Sequence, residues 1–314
     1  MICLAQPDAC MSQSPFTVIG VPIDCAGFDG PLQAVERMPA CLRKAGIVEA
    51  MGVSDFGDLN VRIRSRARDP RTGVVGLSDG QSAIATLRSE TARLLAADIR
   101  PFFIGGCCTM AIGVAAGMRD HFGRAGLIYV DGHLDLYNGF TSWDGQMADM
   151  PLGIVLGQDP APAFRDAMGA NPVEPADTFL VGYRDRSEAE QRKSLMPEDI
   201  GPDLNHYDLA SVRQMGFHAT GEMIGRMTAE RRIPFYMHLD LDVLDESVLP
   251  ATMYHLPLGM NWKELSELLG PLAAASNLAA VSIGCYDPDM DAGQSLAPQI
   301  VAQISQIFGR PLQR

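Results

Sequence analysis

Two carboxylate clusters in this chain each follow an apolar run. GLIYVD runs into Asp131-Gly-His133-Leu-Asp135, and FYMHLD runs into Asp240-Leu-Asp242, with Asp245 three residues further on. Alternate side chains of an extended segment point the same way, so Asp131, His133 and Asp135 can face one spot. Asp240 and Asp242 repeat that logic on a second segment. Four carboxylates converging without a cation would repel one another and could not all stay ionised. A divalent metal resolves the repulsion, and two ions sharing bridging carboxylates use this many donors. Either motif alone is often a polar strand end or a turn cap. Both together, each closing an apolar run, make metal binding the stronger reading.

A third apolar run, PFFIG, opens into GGCCTM at residues 105–110. Free cysteine is among the most buried residue types, so Cys107 and Cys108 can be small core residues. A redox pair fits less well, because adjacent cysteines lack the two-residue spacer of thiol-exchange motifs. A phosphate loop fits worse, since no Gly-Lys-Ser/Thr follows. A thiolate metal ligand stays open on the residues alone.

These runs belong to an alternating pattern. Strand candidates are FTVIGVPI, residues 53–59, PFFIG, GLIYVD, TFLVG, FYMHLDLD and AAVSIGC; helical windows cover residues 82–97, 110–119, 187–195, 219–227 and 262–275. The strands read as continuous apolar runs, as expected when helices cover both sheet faces. Strand-then-helix alternation predicts βαβ units, a mostly parallel sheet and a three-layer α/β/α sandwich. There is no Ser/Gly-rich linker, repeat or composition break, so residues 15–314 are expected to form one domain after a loose extension at 1–14. Segments 61–80 and 196–207, rich in Gly, Asp, Arg or Pro, are expected to cap one rim. In open α/β sheets, ligands bind beyond the carboxyl ends of the strands, where the carboxylate clusters lie.

Composition narrows the partners. With 314 residues and 47% apolar residues, the chain has ample material for a core. A net charge of −13, with no dense Lys/Arg cluster, argues against nucleic acid and anionic membrane surfaces. No apolar run reaches the roughly 18 residues of a membrane span. MICLAQPDACMSQS has no positively charged start and no long apolar stretch, so no signal peptide is read. Seven irregularly spaced cysteines fit a reducing cytoplasm better than a disulfide framework. The expected partner is a small-molecule substrate.

In this order, the pieces resemble the ureohydrolase (arginase/agmatinase) superfamily. Its hallmarks Gly-Gly-Asp-His-Ser, Asp-Ala-His-x-Asp and Ser-x-Asp-x-Asp-x-x-Asp-Pro stand here as GGCCT, DGHLD and HLDLDVLDE. VIGVPID with Gly30-Pro31, GYRDRSEAE and CYDPDMD are also similar, and the resemblance spans nearly the whole chain from about Phe16. It implies an arginase-like α/β sandwich assembled as a homo-oligomer, a trimer or hexamer. It also implies two divalent ions, usually manganese, whose bound hydroxide attacks a guanidinium carbon to release urea. On this resemblance Asp131 and Asp240 bridge the ions, Asp135 and Cys108 complete one site, and His133 and Asp242 complete the other. Cys108 stands where the family has its first metal-binding His, and Cys107 where it has Asp. A branch with Cys at that position includes the hydroxyarginine hydrolase of cycloserine biosynthesis. A soft thiolate shifts preference toward zinc or iron.

Other positions depart from the arginase pattern. The family's proton-shuttling His falls on Ala148, and its contacts to the amino-acid end of the substrate fall on Tyr137, Asp144 and Gln146. Asp185 and Glu190 match family positions, while Ser187 replaces a second Asp. The Glu that grips the guanidinium falls on Cys285, which removes a charge-assisted partner for a planar cation. Asp149, beside Ala148, is the nearest acid/base candidate, with helix capping as its alternative role. The expected activity is hydrolysis of a C–N bond in a guanidino, hydroxyguanidino or related amidine-like molecule, with ordinary arginine a poor substrate. The competing reading is an inactive ureohydrolase relative serving as a regulatory or structural subunit.

Overall fold

In the computed structural model, residues 15–24, 34–254 and 256–309 are described. The 1–14 segment and Gly30-Pro31 lie outside them. Eight strands form one sheet: β1 (Phe16–Gly20), β2 (Ser54–Asp58), β3 (Arg100–Ile104), β4 (Gly126–Val130), β5 (Thr178–Val181), β6 (Asn205–Tyr207), β7 (Phe235–Asp240) and β8 (Leu278–Gly284). Their order is β2-β1-β3-β8-β7-β4-β5-β6, and every pairing is parallel. The α/β class with a parallel sheet is therefore as read from the alternation of elements.

Why the strands look continuously apolar is visible in their burial. Leu127 and Tyr129 of β4 join one core cluster while Ile128 and Val130 join the other; Phe103 and Phe102 of β3 divide in the same way. Both faces are covered by helices, so the two-residue alternation separates two cores instead of core from water.

Five expected helices appear, over Leu77–Ala96, Met110–Phe122, Arg186–Gln191, Phe217–Arg231 and Trp262–Ala273. Leu296–Phe308 is an additional helix, burying Ala297, Ile300, Val301, Ile304 and Phe308 at helical spacing. Its Pro298 falls in the first turn, where proline costs no internal hydrogen bond. Segment 196–207 is not simply a rim loop. It contains the short helix Pro197–Ile200 and the edge strand β6, whose residues pair with β5. A three-residue NHY strand is too short and polar to show a pattern, so only its pairing makes it a strand. Segment 61–80 does lie at the rim: Arg68 donates to the carbonyls of Gly73 and Gly139, tying it to the loop after β4.

One packing constraint positions the element behind Cys108. Helix Met110–Phe122 lies so close to Leu77–Ala96 that a Cβ at Gly113 would fall 2.4 Å from Leu87 Cβ and 2.9 Å from the Ile84 carbonyl oxygen. Gly113→Ala should therefore destabilise the fold by about 1–3 kcal/mol, despite alanine's better helix propensity. Gly225→Ala, where the new Cβ meets only the Pro271 carbonyl oxygen at 3.9 Å, should be neutral or slightly stabilising. Urea midpoints of the two variants check this pair.

Candidate metal centre

Four adjacent strands, β3, β8, β7 and β4, deliver the site from their carboxyl ends. After β3 the chain turns through Gly105 and Gly106 at φ +99° and +73°. A Cβ there would fall 2.3 Å from the Pro39 ring and 2.7 Å from the Val21 carbonyl oxygen respectively, so only glycine fits. The Gly105 N–H donates to the Ile283 carbonyl (2.9 Å) and the Cys285 N–H to the Gly106 carbonyl (2.9 Å), stitching this turn to the end of β8. Cys108 and Cys285 thereby meet, with Sγ–Sγ 3.4 Å. Cys285 itself sits at φ +69°, a strained conformation for a residue with a side chain.

From β7 and β4 come the carboxylates. Cys108 Sγ lies 2.6 Å from Asp240 Oδ2 and 3.8 Å from Asp131 Oδ2. His133 Nδ1 is 3.0 Å from Asp242 Oδ2 and 3.6 Å from Asp131 Oδ1. Backbone amides orient the acids: Asp242 N–H donates to Asp240 (2.7 Å), His133 N–H to Asp131 (2.6 Å) and Gly132 N–H to Asp242 (3.1 Å). Asp131, Asp135, Asp240 and Asp242 are all buried. Asp135 takes a hydrogen bond from the Tyr129 hydroxyl and lies at φ +51°. Arg184 fixes the loop beyond β7 by donating to the carbonyls of Asp242, Val243, Leu244, Leu256 and Pro257. A Cβ at Gly132 would fall 2.6 Å from its Nη1, which accounts for glycine in DGHLD.

The charges do not balance within the protein alone. Burial, then Asp242, pushes Asp131 up to about 7. Burial also raises Asp240 and Asp135 well above the usual carboxylate range, aided by neighbouring acids. Burial works against the charged His133 imidazole, but Asp242 and Asp131 outweigh it and raise the group well above its ordinary value. Asp242 is held low despite burial, because His133 faces it. Burial raises the Cys108 thiol well above its usual value, reinforced by Cys285 and Asp240. A cation among these groups would reverse those directions.

The donor set fits one. Three triads have ligand atoms within 4.8 Å of one another: Asp131-His133-Asp242, Cys108-Asp131-His238 and Cys108-Asp240-Cys285. His238 was not anticipated from the sequence. It is fully buried, and its Nε2 has no hydrogen-bond partner. Its signal was there, since His238 and Asp240 alternate on one face of β7. Cys107, next to Cys108, is disulfide-bonded and does not behave as a free packed thiol.

Above the centre is a cavity of about 230 Å³, lined by Cys108, His133, Asp135, Asp240, Asp242 and Cys285 at its floor. That volume lies below the roughly 300–1,000 Å³ usual for small-molecule sites, so a small substrate would fill it. Tyr137, Gln146 and Asp149 also line it. Asp149 accepts from the Ser142 hydroxyl at 2.5 Å, and burial followed by Asp144 pushes it up to about 7. Asp144 is not in the wall; it accepts from the Tyr254 hydroxyl at 2.9 Å, and Tyr254 lines the cavity in its place. Asp185 is buried behind the wall, its carboxyl raised by burial although His133 opposes this. Glu190 is a correction. It points outward to Arg186 (3.2 Å), and Glu188 reaches the cavity instead, because residues two apart on a helix face different ways. Arg192, also missed, lines the mouth between Glu188 (3.0 Å) and the Trp143 ring (4.3 Å).

Fold and site together define a parallel α/β protein with an acid-, thiol- and imidazole-lined centre at the carboxyl edge of its sheet. The sequence profile of the Arginase family matches residues 14–306, and the chain belongs to that family. It is 27% identical over 314 residues to the arginase of Bacillus caldovelox, covering 95% of this chain and 99% of that one. The solved structure of the Bacillus caldovelox arginase superposes with a TM-score of 0.80 at 24% identity, over 95% of this chain and 99% of that chain. Formimidoylglutamase of Bacillus subtilis shares the fold at a TM-score of 0.70 and 18% identity, over 95% and 87% of the two chains. Among the described residues, no helix is long and apolar enough to cross a membrane.

Asp149 gives a pH test. Its folded-state value lies above that of an unfolded Asp, so the protonated carboxyl contributes stability that is complete below about pH 4 and lost as the pH rises through about 7. Asp149→Asn cannot ionise. In metal-free protein it should gain on the wild type between those limits by about 1–3 kcal/mol, read from urea midpoints at pH 4 and pH 8.

Proposed function

We propose that this protein is a metal-dependent hydrolase of a C–N bond in a guanidino, hydroxyguanidino or related amidine-like small molecule. The observation that supports it most is the grouping of Asp131, His133 and Asp242, with Asp240 beside Cys108 and Asp242, at a cavity on the carboxyl edge of the sheet. Asp131, Asp135, Asp240, Asp242, His133 and Cys108 are the residues that would hold divalent ions, manganese by the family's habit and zinc or iron by the thiol. When bound, such ions make water a competent nucleophile near neutral pH.

The chain's own residues then divide the work. Asp149 sits in the wall and serves as acid or base toward the leaving nitrogen. Tyr137, Gln146 and Tyr254 shape the wall, and the Glu188–Arg192 pair offers both charges at the mouth. Cys285 and Ala148 stand where arginases place a carboxylate and an imidazole, so arginine lacks its cation anchor and its proton relay.

Purified protein loaded separately with manganese, zinc or iron(II) tests the proposal against a panel of guanidino and amidine compounds, by urea, hydroxyurea and ammonia release. At least one compound other than arginine should turn over, with arginine slower by about 10²-fold or more. Asp149→Asn should lower that turnover by roughly 10²–10⁴-fold at unchanged metal content. Asp131→Ala should lose both metal and activity. Arginine as the best substrate would refute the substrate assignment, and full metal loading without any turnover would favour the inactive-subunit reading.

A further inference from the structure

The three donor triads differ in what they face. Asp131-His133-Asp242 opens on the cavity, since His133 and Asp242 line its floor. Cys108-Asp240-Cys285 lies wholly in the cavity wall. Cys108-Asp131-His238 is withdrawn beneath it: only Cys108 lines the cavity, and Asp131 and His238 are at most 1% exposed.

His238 sets this withdrawn triad apart. It stands where the family's Ser-x-Asp-x-Asp hallmark has serine, two residues before Asp240. The imidazole missing at the Cys108 position thus reappears on β7. Its Nδ1 lies 2.6 Å from Ser282 Oγ, which also contacts the Tyr236 hydroxyl. Its Nε2 is buried and has no hydrogen-bond partner among the described residues. Buried ring nitrogens are normally paired. A ligating histidine gives one nitrogen to a fixed partner and keeps the other for metal. The spacing agrees. On a tetrahedral zinc, a sulfur at about 2.3 Å and an oxygen at about 2.0–2.2 Å lie about 3.5–3.7 Å apart. Cys108 Sγ and Asp131 Oδ2 are separated by 3.8 Å.

We propose that Cys108, Asp131 and His238 form an inner zinc site beneath the cavity floor, distinct from the outer Asp131-His133-Asp242 group that faces substrate. A thiolate with an imidazole selects zinc over manganese. Closed sites hold their ion, whereas sites that keep a position open to water do the chemistry. The inner zinc is therefore the retained ion and the outer one the exchangeable ion. Asp131 belongs to both triads and places the two ions side by side. This inference rests on the metal reading above and divides its donors between two ions of unlike chemistry.

The test uses the full chain, stripped with a strong chelator, reloaded with zinc alone and dialysed against EDTA. One zinc per chain should remain after a dialysis that removes the other. X-ray absorption of that form should show one sulfur near about 2.3 Å and an imidazole nitrogen near about 2.0–2.1 Å. Manganese added to it should bind without displacing the zinc, as read by electron paramagnetic resonance and metal analysis. His133→Asn should lose the manganese and keep the zinc. Ser282→Ala, which frees the ring, should weaken zinc by about 10–100-fold, and His238→Gln should weaken it by more than that. A retained zinc with two sulfurs or none, or without imidazole nitrogen, overturns the inner site even if no variant folds. So does His238→Gln with wild-type zinc affinity, or two zincs that leave together. Each of those results leaves the metal reading intact. A wild-type chain that takes up neither zinc nor manganese overturns both.

Discussion

Everything around the site depends on bringing buried carboxylates to one point. Asp131, Asp135, Asp240 and Asp242 are each at most 5% exposed. In a medium of low effective dielectric, this crowding is tolerable only because each acid receives fixed donors and an imidazole sits among them. The backbone amides of Gly132, His133 and Asp242 and the hydroxyl of Tyr129 orient these oxygens before any ligand arrives.

That arrangement is a consequence of parallel topology. In a parallel sheet the carboxyl ends of all strands lie on one edge, so neighbouring strands can contribute one or two polar residues each to a common site. Here β3, β8, β7 and β4 are adjacent although far apart in sequence, and helices such as Met110–Phe122 are packed tightly enough to hold the strand ends in place. The apolar strand bodies supply the rigidity, while the polar tips carry the chemistry.

The departures from the arginase pattern belong together when seen in three dimensions. Cys108, Cys285 and His238 all bring donors of another kind, and Cys285 and His238 each lie beside Cys108 in separate donor groups. Ala148 and Cys285 line the cavity together with Glu188, Arg192, Trp143 and Tyr254.

Sequence alone determined the layered α/β class, since apolar strand runs alternating with helical windows leave little else that buries both faces. It also singled out Asp131, His133, Asp240 and Asp242 as strand-end candidates, because period-2 spacing at strand ends is a local property. Glu190 misled because its outward direction on a short helix depends on where that helix docks, and Asp144 because Tyr254 from a distant loop captures it. The strand β6 exists only through its pairing with β5. The meeting of Cys108 with Cys285 and the bare Nε2 of His238 were decided by strand order alone, since residues 177 positions apart become neighbours only when β8 lies beside β3.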